Sequence, residues 1–525
     1  MQRALVQVSF SNWKNRSTRN TPFLKIMMSH SSASSLQSYE DTIKTLNSLQ
    51  STASSINEII NRNESPRQSN NLKDSLKYLQ RCGVSLTEFE NTIPVIHVSG
   101  TKGKGSTCAL CESILRAHGY RTGLYTSPHL ICVRERIRLD GLPMSHDEFS
   151  KYFWDVYNRL NNNKEHETDM PMYFKFLTVM AFYVFLSKKV DVAIIEVGIG
   201  GEMDCTNILR QTPIVGITSL GLDHTKILGD TLEEIAWQKA GIIKPGSLAF
   251  TVPNHSPSAL EVLKKRAADK GVELMLVPEL SDYGLDLSHL SLTIQLNASL
   301  AIQLTTAWMK LKYDSNGVSD KLNGMIAKID KLTLQGIQNC SWNGRFQQIK
   351  RGRHKLYLDG AHTLESANLC ARWFDSTAPK NCKRVLLFNT TRGRNPGNLL
   401  QHFVNCGIST ALFCTNVLSQ EPGKIPQDLI NKRVTDSDGY QAMQHNLEAW
   451  RGLQNCHRDE ASSRPSITAE LSSHTFDTVE EAIAFIDKMD DVSCHVLVTG
   501  SIHLVGAVLT LVQRESNNYN SEIRL

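Results

Sequence analysis

Ile93-Pro-Val-Ile-His-Val-Ser-Gly-Thr-Lys-Gly-Lys-Gly-Ser-Thr107 decides the fold. Its first part, Ile93 to Val98, is a short apolar run of the kind that forms a strand buried on both faces. From about Ser106 to His118 the pattern is helical, and Gly119 suits the residue just past that helix. Gly100-Thr-Lys-Gly-Lys-Gly-Ser-Thr107 therefore lies between a strand and a helix. Glycines there, Gly103 and Gly105 among them, let backbone N–H groups converge on phosphate, and the helix N-terminus adds positive dipole. Lys104 suits the β- and γ-phosphates of a nucleotide, and the Ser106 hydroxyl suits Mg2+. The usual phosphate loop has Lys directly before Ser or Thr; here Gly105 intervenes. The competing reading, a glycine-rich surface turn, accounts poorly for lysines and a hydroxyl in this strand-to-helix context.

Outward from the loop, Val190-Asp-Val-Ala-Ile-Ile-Glu-Val197 and Pro213-Ile-Val-Gly-Ile-Thr218 read as two more buried strands. Thr231-Leu-Glu-Glu234 is a capping box, opening a helix that runs to about Ala240. Strands alternating with helices predict βαβ units and a mostly parallel sheet. A second α/β series follows Arg345, with strands expected at Lys355–Asp359, Arg384–Asn389, Thr410–Thr415 and His495–Thr499. The expected fold is α/β: an N-terminal phosphate-loop ATPase-like domain over 39–340, then a smaller Rossmann-like α/β domain over 341–525. Ser51–Asn71 reads as a linker. The polar stretch from about 419 to 474 reads as a partly helical surface insertion.

The chain has 525 residues, 41% hydrophobic and 21% charged. These are ordinary values for a soluble enzyme of at least two domains. No apolar run is long enough to span a bilayer; Phe176–Leu186 reads as a buried helix. The 12 cysteines suggest neither a zinc site nor a secreted disulfide framework, so they read as reduced thiols. The first 39 residues hold Arg3, Lys14, Arg16, Arg19 and Lys25 and no acid, and so carry the whole net charge of +5. A basic surface for nucleic acid is therefore not expected. The leader, 1–38, has the composition of a mitochondrial transit peptide, against the plainer reading of an unstructured N-terminus. Met27 and Met28 offer a second, cytoplasmic start.

Further segments carry a resemblance. They are Tyr39-Glu-Asp-Thr-Ile-Lys-Thr-Leu-Asn-Ser-Leu49, Thr126-Ser-Pro-His-Leu130 with Glu135-Arg-Ile-Arg138, and Glu196-Val-Gly-Ile-Gly-Gly201 with Asp204-Cys-Thr-Asn207. Leu222-Asp-His-Thr225 with Leu228-Gly-Asp-Thr231, Trp237-Gln-Lys-Ala-Gly241, Trp342-Asn-Gly-Arg345, Leu358-Asp-Gly-Ala-His362 and Val498-Thr-Gly-Ser501 follow in order. With the variant loop they resemble the folylpolyglutamate synthases, eukaryotic in type, and more distantly the Mur ligases. The resemblance implies an ATP- and Mg2+-dependent ligase that phosphorylates the γ-carboxylate of tetrahydrofolate or a folylpolyglutamate. L-Glutamate then attacks the acyl phosphate, retaining folate in the cell for one-carbon metabolism. It also implies a monomer, with K+ as an additional cation, located in mitochondria (matrix or inner-membrane-associated) and, from the internal start, the cytoplasm.

Residue roles follow from the same resemblance. Glu196, at the carboxyl end of a buried strand, is expected to hold Mg2+; the alternative is an ion pair with Lys104 or Arg136. Ser106 and Ser127 join Glu196 in the implied set, while His224 and Lys239, the latter as a carbamate formed with CO2, are implied ligands of a second Mg2+. Apart from the resemblance, Lys239 would read as a surface lysine near a helix C-terminus, His224 as structural, and Ser127 as a turn residue. Asn297, Arg345 and Asp359 are implied nucleotide contacts beside Gly103, Lys104, Gly105 and Ser106. Pro128, His129, Arg136 and Arg138 belong to the family's folate loop, where an arginine can fork onto a carboxylate. His362 and Ser501 are expected near the incoming glutamate, His362 and Asp359 among the catalytic groups. Two departures stand out: Thr293-Ile-Gln-Leu296 replaces a His-Gln pair before Asn297, and Asn343 stands where Pro is usual. Dihydrofolate synthase, alone or as a second activity, shares every feature of the ATP site. A non-catalytic nucleotide-binding protein would need the loop but not Glu196, His224 and Lys239 together.

Overall fold

The computed structural model describes residues 37–50, 66–284, 291–313, 329–390, 394–421, 428, 436–461, 472–489 and 493–522. The leader up to residue 36, with Met27 and Met28, and most of the expected linker lie outside the described residues. The linker's end does not stay linker-like: a helix opens at Pro66 and runs to Arg81. Its apolar residues Leu76 and Leu79 recur at helical spacing within a polar composition, and that spacing outweighs the composition.

The chain divides into two compact units. One ends at Ser341 and the other begins at Trp342, except that His129–Val133 belongs to the second. The first unit holds strands β1 (Val95–Ser99), β2 (Thr122–Tyr125), β3 (Ile137–Leu139), β4 (Leu142–Pro143), β5 (Val192–Glu196), β6 (Ile214–Ile217), β7 (Leu248–Thr251) and β8 (Leu274–Leu276). Their order is β4-β3-β2-β5-β1-β6-β7-β8. Pairing is parallel along β2-β5-β1-β6-β7-β8, and antiparallel for β2–β3 and β3–β4 at one edge. Every residue of β1, β5 and β6 is buried, as expected of strands covered on both faces. The central β1 passes into the phosphate loop and then the Lys104–Ala117 helix. The helix Tyr173–Lys188 is apolar all round and buried from Phe176 to Leu186. No helix among the described residues is long and apolar enough to cross a membrane.

The second unit holds β9 (Gln347–Arg351), β10 (His354–Leu358), β11 (Lys383–Phe388), β12 (Thr410–Cys414), β13 (Ser472–Phe476) and β14 (Cys494–Thr499), in the order β13-β12-β11-β14-β10-β9. All pairs are parallel except β9–β10. In its described residues the polar stretch after β12 is not the surface insertion expected. It contains a helix, Asp436–Ala461, whose Met443, Leu447 and Trp450 join the core with Phe403 and Phe413, and it returns as β13. It is the crossover of a βαβ unit. Three buried apolar residues at spacings of four and three suffice to seat a helix otherwise made of polar residues. Parts of 419–474 lie outside the described residues.

All cysteines are free, including Cys108 and Cys111, a C-x-x-C spacing buried one turn apart on the Lys104–Ala117 helix.

Candidate active site

The site of the first unit is built on the carboxyl edge of β1, β5 and β6, where open parallel sheets bind ligands. Beyond Ser99 the chain bends through Gly100 (φ 140°) to Gly103 (φ 93°), conformations that disfavour any side chain. Space forbids one as well. A Cβ at Gly100 would lie 1.8 Å from Thr218 Oγ1, and one at Gly103 would lie 2.2 Å from Asn297 Oδ1. Asn297 is 3% exposed, so its carboxamide is packed directly on the loop. The helix that follows has no side-chain cap, which leaves its first N–H groups for a ligand.

Lysine amines crowd one carbonyl. Lys104 Nζ donates to Gly100 O at 3.0 Å, and Lys239 Nζ donates to the same oxygen at 2.8 Å. Lys239 is only 4% exposed, so the surface-lysine reading fails. The C-terminal turn of its helix faces inward, onto Gly200–Glu202: Gln238 O accepts Glu202 N at 2.8 Å. Burial, with Lys104 close by, holds its pKa well below the ordinary lysine value.

Glu196 ends β5 at 5% exposure, and its Oε2 accepts the Ser127 backbone N–H at 3.0 Å. His224 stands at φ 53° on an exposed turn. Partial desolvation lowers its pKa; Lys104, Lys239 and Lys102 add to the effect and Asp223 opposes it. The Ser127–Pro128 bond is cis, and Pro128 is exposed. Arg136 is 8% exposed, its guanidinium carbon 5.4 Å from the Tyr173 ring centroid, and Arg138 is half-buried on β3. His129 goes elsewhere. Its segment packs into the second unit, where Leu130 joins Leu504 and Val505 in the core and His129 Nε2 lies 3.0 Å from Asp428 O. Consecutive residues Pro128 and His129 therefore belong to different units.

In the second unit, Asp359 is buried at the end of β10, and its Oδ2 accepts the Phe346 N–H at 3.0 Å. Phe346 has φ 46°, strained for a bulky residue. Arg345 lies across Gly360, where a Cβ would approach Nη1 to 2.5 Å. His362 Nδ1 is 2.7 Å from Gly360 O. Ser501, 2% exposed, accepts the His503 N–H on its Oγ at 3.2 Å and opens the Ile502–Glu522 helix. Arg345, Asp359, His362 and Ser501 thus gather around the ends of β10 and β14.

Two arrangements escaped the sequence reading. His97, within the apolar β1, is fully buried; its Nε2 is 2.9 Å from Thr206 Oγ1, which donates to Asp204 Oδ1 at 2.6 Å. A histidine inside an apolar run was the only signal. The other is an ion pair from Lys102 to Asp223, 3.2 Å long; neither residue carries a local signal of the other.

A glycine-rich loop at the switch of one mostly parallel sheet, followed by a second mostly parallel α/β unit, is the architecture of the two-domain Mur-ligase-like fold. No family model matches the chain. Among curated proteins, the mitochondrial folylpolyglutamate synthase of Homo sapiens is 37% identical over 552 residues, covering 90% of this chain and 92% of its own. That of Neurospora crassa is 36% identical over 512 residues, covering 92% and 93%. The chain belongs to the folylpolyglutamate synthase family. Among solved structures, E. coli FolC in complex with DHPP and ADP aligns with TM-score 0.64 at 23% identity, over 91% of this chain and 99% of its own. The apo form of L. casei FPGS aligns with TM-score 0.64 at 21% identity, over 91% and 100%. These likenesses establish the fold.

Proposed function

We infer that the chain is an ATP-dependent ligase that adds L-glutamate to the γ-carboxylate of tetrahydrofolate and its polyglutamates. The observation that carries this is family membership along nearly the whole chain, at 37% identity to the human enzyme. The phosphate loop supports it: converging N–H groups and Lys104 suit ATP, and catalysis of acyl transfer to an amine needs charge stabilisation above all. The γ-carboxylate attacks the terminal phosphorus of ATP and ADP leaves. The glutamate nitrogen then attacks the acyl phosphate, loses a proton, and phosphate departs. Arg345 and Asp359 toward the nucleotide, His362 and Ser501 toward glutamate, and Pro128, Arg136 and Arg138 toward folate keep the roles that the family pattern gives them, whereas His129, buried within the second unit, does not keep a folate contact.

The donor set fits Mg2+. Among the described residues no three His, Cys, Asp or Glu side chains converge, but Mg2+ takes one or two carboxylates together with substrate phosphates and water. Glu196, Ser106 and Ser127 would hold one Mg2+ and His224 a second, and when bound they would neutralise phosphate charge. Lys239 joins His224 on the second Mg2+ as a carbamate: its amine, kept less basic by burial, adds CO2 and releases a proton. K+ enters by family resemblance, with no ligand assigned. The protein acts as a monomer, in mitochondria by way of its leader and in the cytoplasm from the internal start; the mitochondrial relatives support the first of these.

A mass-resolved assay tests the reading. Protein lacking the leader is incubated with ATP, Mg2+, L-glutamate and either tetrahydrofolate or dihydropteroate. Glutamate-sized mass steps on tetrahydrofolate are expected. A step on dihydropteroate alone would replace the activity with dihydrofolate synthase, and bound nucleotide with no product on either would leave a nucleotide-binding protein.

A further inference from the structure

Lys102 lies inside the phosphate loop, next to Gly103, yet its ammonium is turned to Asp223. The pair is 3.2 Å long, with side chains 26% and 20% exposed. Asp223 uses its other oxygen, Oδ1, to accept the backbone N–H of His224 at 3.0 Å. Further ties join the same two segments. Thr101 N and Lys102 N donate to Ser219 O at 2.9 and 3.1 Å. Thr101 Oγ1 donates to Gly221 O and accepts from Gly221 N, both at 3.1 Å. Lys104 differs: its Nζ stays within its own loop, on Gly100 O and Thr101 O. His224 sits in the left-handed region at φ 53°, a conformation that persists only where neighbours hold it.

We propose that Lys102 is a positioning residue. Through Asp223 it fixes the His224 turn against the phosphate loop, and it is not itself a phosphate ligand. The two lysines of the loop divide the work: Lys104 serves the nucleotide and Lys102 serves the neighbouring turn. The inference rests on the functional reading only in taking the loop as a nucleotide site. The remaining backbone ties keep the loops together without the ion pair, so its loss should loosen the turn and not unfold the unit.

The test uses the full-length chain and Lys102→Met, Asp223→Asn, the double variant and Lys102→Arg. Two readouts need no turnover: ADP affinity measured in EDTA, and amide hydrogen exchange across residues 219–228. ADP affinity is expected to stay within about twofold in every variant. Exchange should rise by a similar factor in both single charge removals, rise no further in the double variant, and return toward wild type in Lys102→Arg, whose guanidinium still reaches Asp223. In turnover, kcat should fall about fivefold in each single variant and no further in the double, as for a half-buried ion pair, with folate KM unchanged. Loss of ADP affinity in Lys102→Met alone would make Lys102 a phosphate ligand and overturn the proposal. So would unchanged exchange, or single effects that simply multiply. Failure of the wild-type chain to glutamylate folate would sink the functional reading but leave the binding and exchange test standing.

Discussion

Lys239 carries the sharpest residue-scale consequence. A lysine at the end of a surface helix is dispensable, but this one is buried with its amine on the phosphate loop. Lys239→Ala is expected to lose nearly all turnover, with short carboxylic acids restoring part of it by supplying the oxygens of the proposed carbamate; full activity in the variant would remove Lys239 from the site. Gly103→Ala tests the loop itself. The new Cβ would collide with Asn297 Oδ1 in a backbone conformation suited to glycine, so ADP affinity should drop at least about tenfold, roughly 1.4 kcal/mol, by calorimetry. An unchanged affinity would mean that Asn297 moves aside freely. His97 predicts a pH dependence. Burial lowers its pKa from 6.5 to about 3, with Lys244 adding to the effect. The folded chain keeps this histidine neutral, while the unfolded chain protonates it below about pH 6.5. The stabilisation is therefore present above that pH and is lost as pH falls toward about 3, by up to about 1.4 kcal/mol per unit. Urea unfolding at about pH 7 and about pH 5 should show a smaller acid loss in His97→Gln than in wild type; equal losses would assign the acid sensitivity elsewhere.

At the scale of elements, strands were easier to read than the helices that cross between them. β1, β5, β6, β10, β11, β12 and β14 are apolar runs because each is covered on both faces, and each was legible within a few residues. β13 was not: Ser472-Ser-His-Thr-Phe476 is a half-buried edge strand with no apolar run. The sequence pattern over about 419–474 predicts only a partly helical surface insertion and does not locate the Asp436–Ala461 helix, because its polar residues outnumber the three that enter the core. Trp450 decides the point by experiment. It is 1% exposed, so Trp450→Ala should destabilise the chain by about 3–5 kcal/mol. In a surface insertion the same change would cost about 0.5 kcal/mol or less, and a loss that small in chemical denaturation would restore the insertion reading.

At the scale of the whole molecule, the leader makes a prediction independent of the folded units. Residues 1–38 fused to a fluorescent reporter should direct it to mitochondria, and a fusion beginning at Met28 should leave it in the cytoplasm; a cytoplasmic signal from the first fusion would reject the transit peptide. The sequence by itself determined the α/β class, the phosphate loop and the family, since these depend on local pattern: a buried strand, glycines and a helix in immediate succession, and motifs in a fixed order. The residues that need only a strand end or a loop for their place, Glu196, Lys104, Ser106 and Asp359, were legible for that reason. Tertiary structure alone decided the rest. It set Asn297 against Gly103, nearly two hundred positions away, and it buried Lys239. It parted His129 from Pro128 into different units and matched Lys102 with Asp223. The physical reason is that hydrophobic periodicity reports which face of an element is covered, whereas the partner of a polar side chain is set by which loops the sheet order brings to one edge.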